Sequence, residues 1–311
     1  MVNVVQSTVQ CKYAEEFLDA LSPLGPQFQG KQNRNNWLFR GQGGDYPLIP
    51  SAFRKDRVFA SLTQWDLGDP SQFLLAERDI LTQFFDIADK RGLVLPDDTK
   101  ELRSALETLK SDRGDRFSSD SEWHIVNIAP SLTALAQHYG IPTRLLDWSR
   151  QSYIAAFFAA ESALKVGTPE VLGIDASSNL VVWAFHFPFL GKHDAVRQLT
   201  DPVRIVTAPS ATNPNLKAQQ GVFTFINPES TKKKKEYPAL DRFLEDLAAD
   251  AEPENSDADR LIVDCKIQKF SLPKSEAKRL LYLLAKWDIT PSAIYPGYHS
   301  IITDIRMQKD W

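Results

Sequence analysis

Residues 152–165, SYIAAFFAAESALK, constrain the fold more than any other stretch. The composition predicts a helix, and Ile154, Ala155, Phe157, Phe158 and Ala159 leave almost no polar face in its first two turns. Such a helix needs apolar neighbours on most sides, so it is expected at the centre of the core. At 311 residues the chain has ample length to build that surround as one large domain or two small ones.

The elements around it are mixed. Helical spacing is expected over 13–21, with Phe17 and Leu21 on one face, and over 71–90, with Phe73, Leu74, Ile80, Leu81, Phe84, Phe85 and Ile87 apolar and Gly92 as C-cap. Further helices are expected at 100–109, at 131–138 ending at Gly140, and at 274–287. Strands are expected at 37–39, around Leu145 and Leu146, at 181–187 and at 221–226, and a strand-like unit at 289–295. Between 227 and 259 the chain is polar, with the lysine run 232–235 and an acidic run at 252–259. Helices and strands alternate without βαβ regularity. The expected class is therefore α+β, with helices around short, mainly antiparallel sheets.

Three stretches could carry chemistry. In WLFRGQGG, Arg40 ends an apolar strand and Gly41, Gly43 and Gly44 follow. Glycines let backbone N–H groups approach a ligand, and a guanidinium fork binds phosphate or carboxylate with two hydrogen bonds. The alternative is a structural arginine paired with Asp45, Asp147 or another carboxylate. The second stretch is HYGIPTRLLDWSRQSYIAAFFAAE, 138–161. His138, Thr143, Arg144 and Asp147 lie among apolar residues and suggest a buried polar network. Ser149 or Ser152 can cap the helix that follows. Here too a structural reading stands: Asp147 neutralising Arg144, and His138 as a helix-end residue. The third, QQGVFTFIN, puts Gln219 before Gly221, Phe223 and Phe225 on one strand face, next to Gln220. It fits a sugar or base contact, or an edge glutamine facing water.

Phe39-Arg40-Gly41, HYGIPTRLLDWS and Gln219-Gln220-Gly221-Val222-Phe223 together resemble the FRG family. ITPSAIYPGY, 289–298, is similar to a C-terminal element of that family, with Gly297 and Tyr298 where acidic residues often stand. The resemblance implies one FRG-type domain over 1–311, with core motifs at about 35–226, a polar insertion at 227–259 and C-terminal elements at 260–311. A second resemblance is to ADP-ribosyltransferases of the arginine–serine–glutamate type. It implies a split sheet and a cleft for NAD. Arg40 would hold the diphosphate, Ser149 the ribose, and Gln219 with Asp147 the reacting sugar. Gly41, Gln42, His138, Thr143, Arg144 and Gln220 would line the cleft. Glutamine stands where that group has a glutamate, so Asp147 would have to supply the charge that stabilises a sugar cation.

Composition narrows the partners. A net charge of −4 gives no nucleic-acid signature, and two distant cysteines, Cys11 and Cys265, favour a reducing compartment. P-loop, GxGxxG, HExxH and zinc-finger patterns are absent, so no metal is expected. The N-terminus lacks a signal peptide's basic start, and no apolar run reaches a membrane span's length. The expectation is a cytoplasmic protein that binds a dinucleotide or other phosphate-bearing small molecule. It would be an NAD-cleaving or ADP-ribose-transferring effector of toxin or defence type, with a possible protein target. The competing expectations are a non-catalytic nucleotide-sensing or protein-interaction module, and a protein acting on nucleic acid.

Overall fold

A helix with almost no polar face needs cover on several sides, and a seven-stranded sheet supplies one of them. The computed structural model of the protein describes residues 7–28, 37–54, 58–65, 70–111, 125–165, 178–186, 202–208, 214–227, 237–250 and 266–309. In chain order the elements begin with β1 (Ser7–Gln10), α1 (Ala14–Ala20), β2 (Trp37–Gln42), α2 (Val58–Ser61), α3 (Pro70–Lys90), α4 (Lys100–Ser111), α5 (Ile125–Ile128) and α6 (Pro130–His138). Next come β3 (Leu146–Ser149), α7 (Ser152–Leu164), β4 (Asn179–His186), β5 (Val203–Val206), α8 (Pro214–Ala218) and β6 (Gly221–Ile226). Last are α9 (Leu240–Asp250), β7 (Lys266–Pro273), α10 (Ala277–Ala285), α11 (Pro291–Ile294) and α12 (Tyr298–Lys309).

The strand order is β1-β7-β4-β2-β3-β6-β5. Among the described residues only β1 and β7 run parallel; every other neighbouring pair is antiparallel. One mixed, open sheet with helices on both faces is an α+β architecture. Side chains alternate along each strand and so feed two cores. Phe39, Val182, Ala184, Phe270 and Leu272 meet α1, α7 and α10 on one face. Leu38, Val181, Trp183, Phe185 and Ile267 meet Leu146, Trp148, Val222 and the Phe243 and Leu244 of α9 on the other. Because β4 is covered on both faces, its sequence LVVWAF is a continuous apolar run. Helices α3 to α6 add a third cluster around Leu81, Phe85, Leu106 and Leu132.

Several local expectations change. On α7, Phe157 is fully buried, while Phe158 is only partly covered and packs against the edge of this core. Ile87 points outward from α3 and is exposed. Residues 289–295 form a short helix instead of a strand. Thr290 is its N-cap, accepting from the Ala293 N–H, and Pro291 occupies the first turn. Neither serine caps α7: Gln151 is the N-cap residue without a side-chain bond, and Ser152 donates to the Leu21 carbonyl at 2.6 Å. Within 227–259, α9 buries Leu240, Phe243 and Leu244; the two charge runs at 232–235 and 252–259 lie outside the described residues.

Candidate functional site

The ladder between β2 and β3 is a single residue pair, Phe39 opposite Ser149. Arg40 acts where that ladder stops. Its Nη1 donates to the Asp147 backbone carbonyl at 2.9 Å and lies 2.7 Å from Asp147 Oδ1. The guanidinium is nine-tenths buried, whereas the Asp147 side chain is 63% exposed. Arg40 Nε is buried without a hydrogen-bond partner among the described residues.

Burial works to raise the Asp147 carboxyl. The charge and hydrogen bond of Arg40 outweigh it, Arg54 adds to them, and the group is held below the usual carboxylate range. The Asp147 side chain is nonetheless open to solvent, at the place where the β2–β3 ladder ends. Gln137 on α6 also donates to Oδ1, from Nε2 at 3.3 Å. Two donors thus share Oδ1, and Oδ2 meets no other residue's donor among the described residues. Tyr295 lies close enough to feel the Asp147 charge, and its hydroxyl donates to Glu161 Oε2 at 2.9 Å. Burial first, and then these carboxylates, push the phenol well above its ordinary value, so it remains a donor.

The other expected site residues divide sharply. Ser149 is buried two residues on from Asp147, but its hydroxyl is committed. It donates to the Gln219 carbonyl at 2.9 Å and accepts from the Gln151 N–H at 3.0 Å. Gln219 does not open β6. It stands in the turn after α8, with its side-chain amide on the Ile294 carbonyl at 3.4 Å. Gln220 holds a positive φ of 47° in that turn, and its carbonyl accepts from the Arg150 N–H at 3.2 Å. Arg40, Asp147 and Ser149 thus stand on the neighbouring strands β2 and β3, and Gln219 stands in the turn before β6 with its carbonyl on the Ser149 hydroxyl.

Gly41 does not face a ligand. A Cβ there would stand 1.9 Å from the Ala155 carbonyl oxygen and 2.7 Å from the Ala159 nitrogen, so the residue seats α7 on the sheet. Gly43 does the same against Ser162 and Ala163. Gln42 is buried and accepts from the Trp183 indole at 2.9 Å. Arg144 pairs with Glu77 and not with Asp147. Its Nε donates to Glu77 Oε2 at 2.6 Å, both side chains are nearly inaccessible, and the guanidinium lies over the Phe73 ring. His138 is exposed at the end of α6 and bonds to Asn215 at 2.9 Å. Thr143 is fully buried and donates to Gln137 Oε1.

Gln137, Arg54, Glu77, Glu161 and Tyr295 are the partners that sequence reasoning missed. Glu77 carried a signal: it sits on the apolar face of α3 between Phe73 and Leu81, where a lone carboxylate demands a buried cation. Gln137 sits one residue before His138 and carried none.

Residues 35–167 match the family model described as FRG domain. The chain carries an FRG domain. The matched span holds the Arg40–Asp147 pair, Gln137 and Ser149; Gln219 and Tyr295 lie outside it. No curated protein and no solved structure matches the chain significantly. Among the described residues no group of three or more His, Cys, Asp or Glu side chains could hold a metal ion, and no helix is long and apolar enough to cross a membrane.

Proposed function

We propose that the surface around Asp147 binds a dinucleotide of the NAD type and that Asp147 is the charge that acts on its sugar. The supporting observation is the carboxylate itself: held ionised, fixed through Oδ1 by Arg40 and Gln137, and open at Oδ2. In this reading Arg40 is not the diphosphate grip; it orients and ionises Asp147. Arg54 places a second cation near the carboxylate.

The chemistry is cleavage of the bond between ribose C1′ and the nicotinamide nitrogen. Nicotinamide leaves with the bonding pair, and positive charge develops over C1′ and the ring oxygen. Asp147 Oδ2 stabilises that charge by direct attraction. Water or an acceptor nucleophile then adds to C1′ and loses a proton. Such turnover is the activity of an NAD-consuming effector, of the toxin or defence type.

A second reading has its own support. Ser149 has no uncommitted proton, and Gln219 offers a dipole where a catalyst would offer a charge. Both favour a module that binds a nucleotide, or docks a partner, without reacting.

Calorimetry with NAD and a nicotinamide-release assay separate the two. On the enzymatic reading Asp147→Asn lowers turnover by about a hundredfold or more while binding survives. Gln219→Glu then preserves or raises turnover. On the binding reading Gln219→Glu only weakens affinity, through repulsion of phosphate. A wild-type protein that neither binds NAD nor releases nicotinamide overturns both for this ligand.

A further inference from the structure

We propose that Gln137 is the positioning residue of this site: its amide, locked in orientation by Thr143, holds Asp147 Oδ1 and leaves Oδ2 as the oxygen presented to a ligand. The inference rests on the reading of Asp147 given above, and it adds the device that makes one oxygen different from the other.

The lock follows from the donors. Thr143 Oγ1 accepts from the Leu145 N–H at 3.2 Å, which directs its own proton to Gln137 Oε1. That fixes the carbonyl end of the Gln137 amide toward Thr143 and its NH2 end toward Asp147, 3.3 Å away. Flipping the amide would set N–H against O–H and carbonyl against carboxylate, two repulsions replacing two hydrogen bonds. Thr143 cannot drift to relieve this, because it is fully buried and held from a second side. Its N–H donates to Ser51 Oγ at 3.1 Å, and its carbonyl accepts from the Ala52 N–H at 3.1 Å. The same anchor therefore fixes the 51–54 segment that brings Arg54 near Asp147.

Arg40 and Gln137 approach Oδ1 from different elements, β2 and α6. An oxygen with two donors is fixed in place and has less electron density to share. Oδ2 keeps its lone pairs. Arg40 alone would allow the carboxylate to pivot about the shared oxygen; the second donor removes that freedom.

The test uses the full chain with Gln137→Glu and Gln137→Met, read by carbon-detected NMR titration of the Asp147 carboxylate and by nicotinamide release. The charged and titratable groups facing Asp147 are Arg40, Arg54 and Tyr295, the last backed by Glu161, and neither variant alters them. Glutamate keeps the shape and can still accept from Thr143, so a purely structural role survives that change. The positioning role does not. The Asp147 titration should move up in both variants, further in Gln137→Glu, where a second carboxylate faces it. Turnover should fall roughly tenfold in kcat with little change in KM, the worth of one hydrogen bond to a charged group. An Asp147 titration left in place by both variants overturns the inference, whatever the rate does. A titration that moves in a protein whose wild type never turns over NAD upholds the clamp and removes the NAD reading instead.

Discussion

Gly41→Ala adds one methyl group at a place where the fold has no room. The new Cβ would lie 1.9 Å from the Ala155 carbonyl oxygen and 2.9 Å from its carbon, with the Ala159 nitrogen at 2.7 Å. These are backbone atoms in the middle of α7, so no rotamer change relieves the clash. Restoring ordinary contact requires α7 to move off β2 by about 1.5 Å, a gap that forfeits a large part of the dispersion between the two elements. The residues losing contact are fully buried: Ala155, Ala156, Ala159 and Ala160 all pack in this core beside Phe157. Overpacking a core usually costs about 1–3 kcal/mol, and a rigid backbone obstacle places this case at or above the upper end. For a chain of this size, about 3 kcal/mol corresponds to a drop in Tm of about 5 °C. Urea unfolding followed by tryptophan fluorescence measures it directly. A variant with the wild-type midpoint and slope would refute the seating of α7 on Gly41 and return the glycine to a ligand-facing role. A variant that is stable yet has lost NAD binding would do so more pointedly.

Arg144→Met strands the Glu77 carboxylate in the interior and should destabilise by about 3–5 kcal/mol, while Arg144→Met with Glu77→Leu recovers most of it; chemical denaturation of both variants checks this. Phe157→Ala should cost about 3–5 kcal/mol in the same assay and Phe158→Ala clearly less, since only Phe157 is fully buried. The Asp147 carboxyl is depressed in the folded state, so the Arg40–Asp147 pair contributes fully above the ordinary carboxylate pKa, near 4. That contribution is lost as the pH falls through the lower folded value. Stability against pH for wild type and Asp147→Asn should therefore converge in acid and not in base.

The sequence was most legible where one interaction range decides the outcome. Gly92 and Gly140 ended helices as their positions implied, both at positive φ. The β6 strand Gly221–Ile226 and the start of α7 at Ser152 followed from composition alone. Local pattern failed where a short segment could be read two ways. Ile289 to Tyr295 is apolar enough for a strand, but Thr290 and Pro291 start a helix, and that capping chemistry was present in the residues.

By itself, then, the sequence determined that the chain forms mixed helices and strands, that 152–165 goes to the centre, and that its motifs resemble an FRG domain. These depend on periodicity, capping and residue identity, which are local. Only the tertiary structure decided the pairings. The sequence left Arg40, Arg144 and Asp147 as two cations and one nearby carboxylate. The fold brought Glu77 from α3 to Arg144 and so released Asp147 for Arg40, across 107 positions of chain. It likewise turned Gly41 toward α7 by strand alternation, which no count of glycines reveals. Partner choice is a property of distance in space, and in this chain the sheet order β2-β3-β6 sets that distance.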